Sequence, residues 1–140
     1  MFGIDTMGLM DEVKFDRQGL IPAIAQDAES NDILMVAWMN RDSLELTLKT
    51  QKATYWSRSR NKLWLKGEES GNFQEVKNIY IDCDADVILM KVNQRGGAAC
   101  HTGHRTCFFR EVLDGGSTLQ EQGKKLFDPA TVYKKKSIGD

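Results

Sequence analysis

Runs of apolar side chains alternate along this chain with short polar interruptions, and their spacing outlines most of its elements. Residues 19–26 (GLIPAIAQ) and 33–39 (ILMVAWM) predict two strands joined by the polar turn 28–32. Asn40 then stands where a helix cap belongs. The helix predicted over 41–51 carries Asp42 in its first turn and Leu44 and Leu48 on one face. Beyond it, 53–57 and 62–65 read as short strands about the polar turn 58–61, and 67–72 reads as a loop. Residues 73–82 and 86–94 predict two further strands, or one long bent one, and 107–112 the last core strand. The tail over 114–140 is weakly patterned. Many strands around one helix predict an α+β domain with a curved, barrel-like, mainly antiparallel sheet and one main helix.

Composition narrows the classes of function. The 140 residues suffice for a single domain over 1–140, and 41% apolar with 28% charged residues is an ordinary globular balance. Nineteen basic against twenty acidic residues leave a formal charge of −1, which argues against nucleic acid or an anionic membrane as partner. The basic run Lys134-Lys135-Lys136 reads as a solvated tail. Acids at Asp5, Asp11 and Glu12 speak against a secretory leader, and the longest apolar run, Ile33–Met39, is too short to span a bilayer. Three cysteines cannot close a disulfide framework within one chain, so a cytoplasmic protein with reduced thiols is expected.

Three clusters could carry chemistry. The segment GGAACHTGHRTCFFR, residues 96–110, holds both histidines, His101 and His104, and two of the three cysteines, Cys100 and Cys107. Cys83 lies upstream at the end of an apolar run. Zinc takes thiolate and imidazole ligands, and a catalytic zinc leaves one position to water. Three Cys, or two Cys and one His, would each suit it. Structural zinc modules do not match, because the chain has no C-x₂-C pair. The plain alternative makes Cys83 and Cys107 small buried apolar residues in strands.

The second cluster is Asp82-Cys83-Asp84-Ala85-Asp86. An EF-hand loop would need Gly and Glu where Val87 and Asn93 stand, so that reading fails. On an extended strand the three carboxylates share a face but stand ~7 Å apart. A common divalent cation therefore demands a bend or bridging water; the plain alternative is a polar strand end facing solvent. The third cluster, Trp56, Arg58, Arg60 and Lys62 with Trp64 and Lys66, offers guanidinium forks for phosphate and indoles for stacking. A hairpin with one aromatic and one basic face would produce the same pattern.

Taken in order, GLIPAIAQDAES, LMVAWMN, ATYWSRSRNKLWLKGEESGN, IDCDADVILMKV and GGAACHTGHRTCFFR resemble the phosphoribosyl-AMP cyclohydrolase family of histidine biosynthesis, over about residues 15–110. The resemblance implies a cytoplasmic homodimer with zinc and magnesium, acting on the small molecule phosphoribosyl-AMP. It implies zinc ligands Cys83 from one subunit with Cys100 and Cys107 from the other, and magnesium ligands Asp82, Asp84 and Asp86. It also implies opening of the adenine ring of 1-(5-phosphoribosyl)-AMP between N1 and C6 by a zinc-activated water. His101 or His104 would serve as acid and base, the neighbour of a ligand, His101, being preferred; Trp56, Arg58, Arg60 and Lys62 would hold the substrate. Two other readings of the same residues are a structural zinc adaptor, and a nucleic-acid-binding barrel that stacks bases on Trp56 and Trp64.

Overall fold

Strand pairing follows from the period-two pattern. In the computed structural model, which describes residues 7–132, β1 (Ile21–Asp27) buries every second side chain, and it forms an antiparallel hairpin with β2 (Ile33–Met39). Asn40 caps α2 (Arg41–Thr50), which follows a short first helix, α1 (Met7–Glu12). The cap is reciprocal: the Ser43 amide donates to Asn40 Oδ1 at 2.8 Å, and the Asn40 amide donates to Ser43 Oγ at 2.9 Å. Leu44 and Leu48 turn into the core, as their spacing predicts.

The chain then makes the hairpin β3 (Thr54–Ser57) and β4 (Lys62–Leu65), followed by the longer hairpin β5 (Gln74–Ile81) and β6 (Ile88–Gln94). β1 and β6 pair in parallel, so the main sheet runs β2-β1-β6-β5. Its core is Ile21, Ala23 and Ala25 against Leu34, Met90 and Val92, closed by Leu44 and Tyr55. No helix among the described residues is long and apolar enough to cross a membrane.

Two expectations change. The sheet is an open four-stranded one with two separate two-stranded hairpins, not a closed barrel. Among the described residues a single β-bridge, between Lys52 and Glu75, extends backbone pairing from the β3–β4 region to the main sheet, so the strands do not close on themselves. Residues 107–112 are not a core strand. The chain is irregular through Phe109, and β7 (Arg110–Leu113) pairs with β8 (Thr118–Glu121) in a hairpin whose side chains are almost all exposed. The aromatic pair Phe108-Phe109 suggested a strand, but Phe108 is exposed and Phe109 stacks on His104. Arg41–Thr50 is the main helix, as expected; beside it, α1 buries Met10, and a single turn, α3 (Pro129–Val132), ends the described chain. The run Lys134-Lys135-Lys136 and the acid Asp5 lie outside the described residues.

Candidate active site

A bulge in β2 fixes one wall of the site. Ala25 faces Met35 and Gln26 faces Ile33, which leaves Leu34 without a partner on β1. The break buries Leu34 and Met35 in succession. It also frees the Leu34 carbonyl, which accepts from the Cys107 amide at 2.7 Å and the Thr106 hydroxyl at 3.1 Å. Arg105 ties the same segment to the β1–β2 turn, donating to Ser30 Oγ at 3.1 Å and facing Asp32 at 3.5 Å and Asp27 at 3.6 Å.

Between these anchors the chain folds back sharply. The Ala99 amide donates to the Arg105 carbonyl, Cys100 to His104 and Gly103 to Cys100. Gly103 has φ +97°, and a Cβ there would lie 2.2 Å from the Phe127 carbonyl oxygen, so only glycine fits. The tail packs over this turn, and the Leu126 amide donates to the Gly103 carbonyl at 2.6 Å.

The result is an open cavity of about 350 Å³, walled by Cys100, His101, Thr102 and Cys107 on one side and by Arg60, Trp64, Lys66 and residues 67–70 on the other. Met35, Val36, Phe109 and Arg110 also line it. Cys100 and Cys107 interact through their thiols. With Cys107 donating, the Cys100 thiol is drawn down to about 5 against the effect of burial, and Thr102 adds a donor at 3.0 Å. The same donation, with burial and the charge on Cys100, pushes Cys107 up. One soft thiolate thus faces an open cavity beside a second sulfur, a donor pair that suits zinc with room for water.

Other candidates stand elsewhere. Cys83 is exposed in the β5–β6 turn, and within one protomer no third Cys or His joins Cys100 and Cys107 among the described residues. Asp82, Asp84 and Asp86 share the turn with Cys83. They do not lie on a strand: Ala85 takes φ 66°, and Asp82 Oδ1 accepts from the amides of Asp86 at 2.9 Å and Val87 at 3.1 Å. That bend brings one oxygen of each carboxylate within 4.8 Å of the others, which fits a shared divalent cation far better than the extended spacing. Desolvation opposes ionisation of Asp82, but those two amides and its neighbours outweigh it and lower its pKa; hydrogen bonding with Asp84, desolvation and the adjacent charges raise that of Asp86.

His101 lines the cavity, whereas His104 does not. His104 is 2% exposed, stacked on Phe109 at 3.9 Å between centroids, with Nε2 3.2 Å from Glu121 Oε1. Of the proposed substrate-holding residues, Arg60 reaches the cavity, and its Nε is buried without a hydrogen-bond partner. Trp56, Arg58 and Lys62 are not in its wall; Arg58 instead lies over Trp38 at 4.7 Å. Strand β3 ends at Ser57, so the alternation that would have aligned Arg58 and Arg60 stops before them.

Sequence reasoning missed two features. Lys66 lines the cavity and is buried, although a lysine after Trp64-Leu65 reads as solvent-facing. A buried relay also braces the loop 67–72: the Tyr55 hydroxyl donates to Gln74, Gln74 to Gln94, and Gln94 to the Asn72 carbonyl at 2.7 Å. Tyr55 and Trp64 are partners across the β3–β4 hairpin, and the two rings meet at 5.4 Å.

Comparison with known proteins agrees with the geometry. The family model of phosphoribosyl-AMP cyclohydrolase matches residues 35–109, which include the aspartate turn and the Cys–His segment. The phosphoribosyl-AMP cyclohydrolase of Chlorobium phaeovibrioides is 59% identical over 134 residues, 96% of each chain. That of Chloroherpeton thalassium is 59% identical over 95% of this chain and 94% of its own, and that of Marinobacter nauticus 55% identical over 89% and 88%. The likeness therefore reaches beyond residues 15–110 into the segments that flank them. With a family model matched across the site and relatives matched along nearly the whole chain, this chain belongs to the phosphoribosyl-AMP cyclohydrolase family.

Proposed function

We propose that the chain opens the adenine ring of 1-(5-phosphoribosyl)-AMP between N1 and C6, the hydrolytic step of histidine biosynthesis, in the cavity beside Cys100 and Cys107, and that it does so in the cytoplasm. The observation that carries this reading is the convergence of two sulfurs, a histidine and three cations, Arg60, Lys66 and Arg110, on one open cavity in a member of this family. N1 of the substrate bears a second ribose phosphate, which makes the ring cationic and C6 electrophilic. Cys100 and Cys107 would hold zinc, which when bound would supply a Lewis acid able to lower the pKa of a water. His101, on the cavity wall, takes a proton from the water that adds to C6. It returns that proton to N1 as the N1–C6 bond breaks, leaving a carboxamide on the imidazole. Arg60, with an unpartnered Nε on that wall, holds a phosphate oxygen. Trp56, Arg58 and Lys62 have no place in this pose.

In this reading the third zinc ligand is Cys83 of the partner subunit. Two features of a single protomer support a dimer: Cys83 is exposed, far from forming a ligand trio with its own chain's thiols, and β7–β8 is a bare hairpin. Val112 and Leu119, paired across that hairpin, are 62% and 57% exposed, and a two-stranded ribbon is marginal in water on its own. Asp82, Asp84 and Asp86 would hold magnesium, as a weaker and exchangeable site of hard oxygen ligands.

Incubation with phosphoribosyl-AMP should give the ring-opened imidazole carboxamide, followed by absorbance. Elemental analysis after dialysis without chelator should find about one zinc per subunit. A protein free of zinc, inert toward phosphoribosyl-AMP after zinc is added, would overturn the proposal. Asp84→Asn should raise the magnesium concentration needed for half-maximal rate and leave zinc content unchanged. Loss of zinc with an unaltered magnesium requirement would reverse the two assignments.

A further inference from the structure

Lys66 is a cation in surroundings that disfavour one. It is 5% exposed, just past β4, on the wall of the cavity. Its Nζ donates to the Ala99 carbonyl at 2.5 Å, one residue before Cys100, and lies 5.6 Å from the centre of the Trp64 ring. Among the described residues no carboxylate forms an ion pair with it; Glu68 and Glu69 share the wall but are exposed. Burial lowers its pKa, and electrostatic interaction with the neighbouring Cys107 and Cys100 sulfurs acts against this. A buried ammonium persists only where nearby negative charge compensates it.

We infer that Lys66 is a positioning residue for the metal site, its ammonium fixing the Cys100 turn through Ala99 and balancing the charge of the thiolates. The inference rests on the thiolate zinc site proposed above. Three thiolates around a dication leave one net negative charge, and one ammonium on the same wall cancels it. The hydrogen bond and the charge have separable consequences. Glutamine in place of Lys66 keeps a donor toward the Ala99 carbonyl and removes the charge. Methionine keeps the volume and removes both.

Cobalt(II) is the probe, because it takes tetrahedral thiolate sites and reports sulfur ligation by a charge-transfer absorption band. The full-length wild type, Lys66→Gln and Lys66→Met are to be stripped of metal, checked for folding by circular dichroism, and titrated with cobalt against a competing chelator. Both variants should bind cobalt ~10–100-fold more weakly, the usual effect of removing an outer-shell partner. If Lys66→Met fails to fold, Lys66→Gln alone decides. Wild-type affinity in Lys66→Gln would overturn the role of Lys66, whatever Lys66→Met does, because the charge would then be dispensable. A wild type that binds no cobalt with the thiolate band would instead overturn the metal reading on which the inference rests.

Discussion

Refolding Cys83→Ser and Cys100→Ser chains together in equal amounts is expected to restore ~a quarter of wild-type activity, although each variant alone is inactive. Each homodimer lacks one ligand at both of its sites. In a mixed dimer, one site collects both lesions and the other has all three thiolates. Random pairing makes about half of the dimers mixed, with one working site in each, which gives the quarter. The substitutions suit the purpose. Cys83 is exposed, and serine at the buried Cys100 changes one atom beside the Thr102 hydroxyl, so the fold should survive both. A site made within one chain predicts no recovery, because every chain in the mixture carries a broken set. Inactivity of a preparation in which mixed dimers are demonstrated would refute the shared site.

His101→Ala should lower kcat by ~10²–10⁴-fold, the range for losing a positioned acid or base, with little change in melting temperature. His101 is half-buried on the cavity wall, and no hydrogen bond that holds the fold depends on its ring among the described residues. His104 should behave in the opposite way. Its ring is enclosed against Phe109 and Glu121, so His104→Ala leaves a void and should cost about 2–5 kcal/mol of stability while lowering kcat less. Thermal melts beside steady-state rates separate the two. A larger fall in kcat for His104→Ala than for His101→Ala, in a folded protein, would move proton transfer to His104.

Elements whose signal is local were legible from the residues. The strand at Ile33–Met39 is bounded as its apolar run predicts, and the Asn40 cap sets the start of α2 because a side-chain oxygen meets the amide three residues on. The hairpin β3–β4 was likewise readable from its aromatic residues about a polar turn. The barrel-like form expected of the sheet does not extend to closure, because closure depends on which strand edges meet, and period-two alternation is silent on that. The segment 107–112 misled because its aromatic residues have other work: Phe109 covers His104, and Cys107 is tethered by the Leu34 carbonyl.

At the candidate site the same division holds. Residue type and order alone named Cys83, Cys100 and Cys107, the three aspartates and the two histidines as candidates, because soft and hard ligands are scarce enough to stand out. Only the tertiary structure separated His101, on the cavity, from His104, which is buried away from it, although only two residues stand between them. It also brought the carboxylates of the aspartate turn together, admitted Arg60 and left Arg58 out, and buried Lys66 against the backbone of a loop far along the chain. A strand or helix is written in neighbours whose side chains repeat with a fixed period. A cavity is made where an unpaired carbonyl, a glycine turn and a buried ammonium from distant segments meet, and no local period encodes that meeting.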